Sequence, residues 1–251
     1  MNYPHHIEIP MEKVKELSST NDYLAQLCRD NKAKEFHTVV AESQTQGKGQ
    51  RGNHWESEAG KNLTFSIVLY PTALEVKKHF CLSMLAALSC IEALGDYADG
   101  FAIKWPNDIY WKHYKIWGTL TQHFLQGTLI QHTIVGVGLN VNQCHFTSDA
   151  PNPISLRQIL GHDVERPELL SAICHTFAHP TELIPTELDA AALHARYTTL
   201  LYRLGMPATY RDAQGTFTAT LHHVEPDGRL ILIDEQGTPR SYLFKEVAYI
   251  I

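Results

Sequence analysis

Disulfide chemistry is the first thing this sequence does not support. Its five cysteines, Cys28, Cys81, Cys90, Cys144 and Cys174, are odd in number and form no CxxC pair. A cystine scaffold or a zinc knuckle needs paired, closely spaced thiols, so reduced, buried cysteines in a cytoplasmic protein are expected instead. No basic-then-apolar segment opens the sequence, and no apolar run approaches about 20 residues, so neither a signal peptide nor a membrane span is expected. An excess of positive charge is also missing. Lys and Arg number 21 against 27 Asp and Glu, a formal charge of −6, whereas a general nucleic-acid binder needs a basic face. Repeats, low-complexity tracts, a GxxxxGK[ST] phosphate loop, an HExxH pair and a Ser–His–acid order are absent as well.

What is present is a chain of 251 residues, 44% hydrophobic, enough for one large domain or one large and one small. "STNDYLAQLCR" starts a helix, with Ser19 or Thr20 as cap and Tyr23, Leu24 and Leu27 as an apolar stripe. "HTVVAES" and "NLTFSIVLY" read as strands flanking a glycine-rich loop, and residues 74–94 as one long apolar helix. "FAIKW" reads as a short strand, and "TLTQHFLQGTLIQHTIVGVGLNV" as two strands meeting near Gly127. Residues 167–204 turn helical, interrupted by "HPTELIPTELD". The last stretch has short alternating strands punctuated by "AQG", "PDG" and "EQG", the spacing of a small β-barrel or barrel-like module.

Two segments concentrate donors beside aromatic surface. In "GKGQRGNHWES", Gly47, Gly49 and Gly52 let backbone N–H groups turn inward as a cradle for a phosphate or carboxylate, with charge from Lys48 and Arg51. Trp55 is either a stacking surface or a pin that anchors the loop. In "FAIKWPND", Lys104 lies in an apolar strand where an unpaired ammonium is expensive, so it needs a carboxylate or an anionic ligand. Pro106 ends the strand and leaves Asn107 and Asp108 at its tip, where Asp108 can pair with Lys104 or coordinate magnesium. Lys115 precedes Gly118, a gap through which a flat ligand can approach the backbone. "GVGLNVN" adds Asn140 and Asn142, each with the donor and acceptor that an adenine edge requires. Together these groups suit a nucleotide or acyl-phosphate site, where cations stabilise charge as a carboxylate attacks phosphorus.

The ordered set "SSTN", "ESQTQGKGQRGNHWES", "NLTFS", "KWPNDIYWKHYKIWGTL" and "GVGLNVN" resembles the biotin–protein ligases over roughly residues 15–145. The resemblance implies an α+β fold: a class II synthetase-like catalytic domain with a mixed β-sheet and packed helices over residues 1–200, then a small SH3-like β-barrel over 201–251. It implies activation of biotin by magnesium-ATP to biotinyl-5′-adenylate, then transfer to one lysine of a biotin carboxyl carrier domain. Ser19, Thr20, Asn21, Gln44 and Gly118 would line the biotin pocket. The loop carrying Gly47, Lys48, Gly49, Gln50 and Gly52 would fold over biotin and the adenylate. Arg51 would contact the phosphate region, Trp55 and Asn140 the nucleotide side, and Lys115 the activated carboxyl. Lys104 and Asn107 would serve the ATP phosphates and Asp108 the magnesium.

Three departures from the family pattern carry expectations. Gln50 stands where the family most often has arginine, which predicts weaker retention of the adenylate. Thr119 and Gln122 replace a usual isoleucine and a common glutamate, which puts local packing in question. The catalytic helix begins within about 20 residues, too early for the family's winged-helix DNA-binding domain, so an enzyme without DNA binding is expected. Members are monomers or dimers, and a homodimer is left open. The competing readings are a lipoate or octanoate attachment enzyme on the same fold and a non-catalytic biotin- or nucleotide-binding module.

Overall fold

A computed structural model describes residues 9–71, 74–148, 152–179 and 190–251, with the backbone alone at Arg51. The larger of two sheets has the strand order β1–β2–β3–β7–β6–β5–β4. These strands are β1 (Met11–Leu17), β2 (Thr38–Gln44), β3 (Leu63–Leu69), β4 (Phe101–Lys104), β5 (Asp108–Trp111), β6 (Tyr114–Gln126) and β7 (Leu129–Leu139). Only β1 and β2 run parallel, so the sheet is mixed and otherwise antiparallel. Strand β3 is buried along its whole length because both faces are covered. Leu63, Phe65, Ile67 and Leu69 join the main core, while Val68 packs with Leu24 of helix α1 (Thr20–Arg29). That alternation is the two-residue period of a strand between two layers.

Helix α2 (Phe80–Gly95) is buried on almost every side. It lies against β4, β5 and β6 and is covered in turn by α4 (Arg166–Ala178) and α5 (Ala190–Thr199). By length and mean hydropathy the 76–95 segment could pass as a membrane span, but two thirds of its apolar stretch is buried inside the fold, as in a core helix. Truncating a fully buried residue here, such as Leu88→Ala, costs about 2–5 kcal/mol. The helix also starts later than expected. Residues 74–79 instead form a bridge between Glu75 and Leu129 and a 3-10 turn over Val76–Lys78. Short helix α3 (Leu156–Leu160) carries a capping box between Ser155 and Gln158 and stops at Gly161, whose φ is +82°. The "HPTELIPTELD" interruption lies, except for His179, outside the described residues.

The smaller sheet, order β11–β10–β9–β8–β12, comprises β8 (Pro207–Asp212), β9 (Gly215–Val224), β10 (Leu230–Asp234), β11 (Pro239–Tyr242) and β12 (Ala248–Tyr249). Its turn spacing led to the expectation of an SH3-like barrel, and that expectation is corrected here. Strand β12 pairs with β8 and β11 with β10, leaving the two as unpaired outer edges, so no sheet closes into a barrel. Tyr210, Leu221, Leu230 and Leu232 of this sheet belong to the same core cluster as Phe80, Ile103 and Tyr197. Trp105 fastens the two sheets by donating its indole N–H to Gly228 O at 2.9 Å.

Candidate active site

One cavity of about 700 Å³ draws its lining from both sheets, the start of α1 and the glycine-rich loop. At one end, Ser19 caps α1 and holds Thr20 and Asn21 against the sheet. Thr20 donates its backbone N–H and its hydroxyl to Gln44 Oε1 at 2.8 and 3.1 Å. Asn21 Nδ2 donates to Leu120 O at 3.2 Å and Gln122 Oε1 at 3.1 Å. The Gln122 amide, a departure from the family pattern, thus supplies an acceptor to this network. Buried Ser66 Oγ completes it, 2.7 Å from Thr20 Oγ1 and 2.6 Å from Asn21 Oδ1. A Cβ at Gly136 would sit 2.1 Å from Asn21 Oδ1, so glycine is required for α1 to approach this closely.

The glycine-rich loop folds on itself before it meets the cavity. Trp55 N–H donates to Gly47 O at 3.0 Å, and Gly49 N–H to Asn53 O at 2.7 Å. Lys48 Nζ is 2.6 Å from Asp22 Oδ2. At least these two donors, expected to face an anion, are therefore engaged within the protein. Gln50 Nε2 makes a long 3.4 Å contact with Thr119 O, and its Oε1 is buried without a partner among the described residues. The Arg51 side chain lies outside the described residues. Trp55 lies across two glycines that face each other in register, Gly118 and Gly138. A Cβ on Gly138 would meet the indole at 2.2 Å and one on Gly118 at 3.1 Å. Trp55 therefore pins the loop to the sheet.

At the other end, the turn from β4 to β5 presents Lys104, Asn107 and Asp108. Asp108 pairs with Lys115 Nζ at 2.8 Å rather than with Lys104; the two side chains are 17% and 22% exposed. Asn107 Nδ2 donates to Thr119 O, fixing the turn against β6. Lys104 has no carboxylate within ion-pair distance among the described residues. Its Nζ lies 5.3 Å from the Tyr110 ring and 5.0 Å from that of Tyr249 on β12. Burial depresses the Lys104 pKa; Asp108 opposes the shift, while Lys115 and Arg203 add to it. Asn140 lines the cavity but donates Nδ2 to Ile154 O at 3.1 Å, and Asn142 binds the backbone of Val164 from both amide atoms. Asn142 is therefore structural.

The cavity thus brings together Ser19, Thr20, Asn21, Gln44, Lys48, Gly49, Gln50, Gly52, Trp55, Lys104, Asn107, Asp108, Lys115, Gly118 and Asn140. Gly47 stands behind its wall, where a Cβ would meet Trp55 O at 2.7 Å. Sequence reasoning missed Ser66, Glu56, Phe146 and Tyr249 as site residues. Ser66 and Glu56 lie in motifs singled out there, whereas Phe146 and Tyr249 are brought in by long-range packing.

Residues 14–140 match the family described as Biotin/lipoate A/B protein ligase family. The chain is 30% identical over 208 residues to the biotin–[acetyl-CoA-carboxylase] ligase of Paracoccus denitrificans, covering 79% of this chain and 85% of that protein. It is 29% identical over 235 residues to the bifunctional ligase/repressor BirA of Bacillus subtilis, covering 90% of this chain and 70% of that protein. Among solved structures, the biotin protein ligase from Aquifex aeolicus in complex with biotin and ATP aligns with a TM-score of 0.77 at 26% identity, over 95% of this chain and 97% of that one. The chain belongs to the biotin/lipoate A/B protein ligase family.

Proposed function

We propose that the protein activates biotin with ATP and transfers it to a lysine of a biotin carboxyl carrier domain. The observation that carries this reading is the continuity of one cavity, from a polar pocket at α1 to a cationic pocket at Lys104 and Lys115. The biotin ring carries a urea with two N–H groups and a carbonyl. Thr20, Asn21, Gln44 and Ser66 form a hydroxyl and amide cluster of matching polarity. A lipoyl dithiolane has no amide or carbonyl with which to engage this cluster, whereas the biotin urea can join its hydrogen bonds. The cluster therefore favours biotin over lipoate.

In the first step a biotin carboxylate oxygen attacks the α-phosphorus of ATP, and pyrophosphate leaves. Both reactants are anionic, so Lys115 and Lys104 lower the repulsion between them and stabilise charge on the phosphoryl oxygens. In the second step the acceptor lysine amine attacks the acyl carbon of the mixed anhydride, and AMP leaves. No covalent bond to this protein is needed. Among the described residues, no three His, Cys, Asp or Glu side chains cluster to cage a metal. Magnesium bound through substrate phosphates needs only one or two protein carboxylates. Asp108, at the cavity's cationic end, fits that demand, and the metal would supply further charge neutralisation at the phosphates. Five free thiols, four of them buried, support a reducing cytoplasmic setting.

The test is pyrophosphate exchange into ATP with biotin or lipoate and without carrier protein. Biotin-dependent exchange is expected. Folded protein that exchanges with neither acid would sink the ligase reading, and exchange with lipoate alone would move it to the lipoate branch. Detectable biotin binding without exchange would instead favour a non-catalytic binding module.

A further inference from the structure

The carboxylate that stands opposite Lys104 is already engaged. Asp108 is its register partner across the β4–β5 turn, yet Asp108 pairs with Lys115 at 2.8 Å. An ammonium withdrawn from water needs some other source of negative potential. Two rings supply it. Lys104 Nζ lies over Tyr110, 5.3 Å from the ring centroid, and over Tyr249 at 5.0 Å, both within the range at which an aromatic face attracts a cation. Burial presses this lysine toward its neutral form, and Lys115 and Arg203 push the same way. The two faces oppose that pressure.

Each ring is held by another. Tyr202 packs against Tyr110 at 5.4 Å and Tyr210 against Tyr249 at 5.0 Å, centroid to centroid. The hydroxyls of Tyr110 and Tyr249 are buried, and neither has a hydrogen-bond partner among the described residues. What these two positions offer Lys104 is therefore the ring face. A second carboxylate in their place would also hold the ammonium, but it would cancel the charge and compete with an incoming phosphate. A ring face carries no net charge. We infer that Tyr110 and Tyr249 are positioning residues, which hold the Lys104 ammonium against their faces and leave its full charge for the phosphates of ATP. This rests on the adenylation reading above.

The test is biotin-dependent pyrophosphate exchange, with biotin affinity from calorimetry and folding from thermal denaturation. Tyr249→Leu should raise the KM for ATP about tenfold, and Tyr249→Phe should recover most of the loss because it keeps the face. Biotin affinity should change less than about twofold, since its contacts lie at the other end. In a Lys104→Met background, Tyr249→Leu should add less than about twofold, because the cation that the ring serves is gone. Fluorinated phenylalanines at positions 110 and 249 drain the face of electrons at nearly constant shape. They should raise the KM for ATP stepwise with fluorine number, and they decide the matter if Tyr249→Leu does not fold. An unchanged KM in Tyr249→Leu, or no trend with fluorination, would overturn the inference. An equal loss in Tyr249→Phe, or a full added loss in the Lys104→Met background, would also overturn it, in favour of the hydroxyl or of packing. Wild type without any exchange would overturn the adenylation reading first and this inference with it.

Discussion

Lys115 Nζ sits 2.8 Å from Asp108 Oδ1, across adjacent strands. The pair holds a cation and a carboxylate at the cavity wall in fixed order, before any ligand arrives. Removing the cation should hurt chemistry far more than folding. Lys115→Ala is expected to lower biotin-dependent pyrophosphate exchange by about 10²–10³, with only a small change in Tm. Lys115→Arg should recover part of the loss, because charge returns with a different geometry. An unimpaired Lys115→Ala enzyme would remove this lysine from the mechanism.

Ser66 lies under the polar end of the cavity and joins Thr20 to Asn21. Ser66→Ala leaves both side chains short of a partner at a cost of about 1–3 kcal/mol. Calorimetry should therefore show biotin binding weakened about tenfold or more, while the KM for ATP stays near wild type. A matched loss toward both ligands would contradict this assignment.

Gly138 has no room for a side chain beneath Trp55. Gly138→Ala is expected to lift the indole and the glycine-rich loop, and overpacking of this kind costs about 1–3 kcal/mol. Thermal denaturation should show the loss. Trp55→Phe/Gly138→Ala should recover part of it, since a smaller ring relieves the clash.

Gln50 stands where the family resemblance leads to the expectation of arginine, and a neutral amide grips phosphate oxygens less strongly than a guanidinium. Gln50→Arg is expected to slow release of the adenylate, measured by rapid filtration, and to reduce labelling of bystander lysines about tenfold. Indistinguishable release by the two proteins would refute the role given to this position.

His123 is held neutral by burial and by neighbouring His79, with its pKa lowered to about 4 from 6.5. Its Nδ1 lies 2.9 Å from Thr133 Oγ1. Above pH 6.5 the ring is mostly neutral whether the chain is folded or not, so it adds no pH dependence there. As pH falls from 6.5 toward 4 the unfolded chain takes up a proton that the folded one resists, and stability drops. His123→Gln should flatten that part of a Tm-against-pH curve. An unaltered slope would assign it to other groups.

Much of the frame was legible because its signals are local. The capped start of α1, the β2 and β3 runs, and the turn at Gly127 between β6 and β7 each follow from short-range pattern and turn chemistry. Strand β1 was not, because "MEKVKEL" is a polar edge strand that borrows its order from β2. Strand β5 was not legible either, since its pairing with both β4 and β6 is set by partners. Whether the last strands close was also beyond local reading, because identical turn spacing serves an open sheet and a barrel. At the site, the charged and glycine-rich motifs were legible from residue chemistry. The partner of Lys115 and the network through Ser66 were not, because each joins separate elements of the fold.

The wall that Tyr249 lays against Lys104 has a consequence for assembly. Lys104 stands on β4 of the larger sheet, whereas the ring 5.0 Å from its ammonium belongs to β12 of the smaller one. The surroundings of this lysine therefore exist in full only when the two sheets are packed together, and a change that loosens their contact alters its environment without touching either sheet's own pairing.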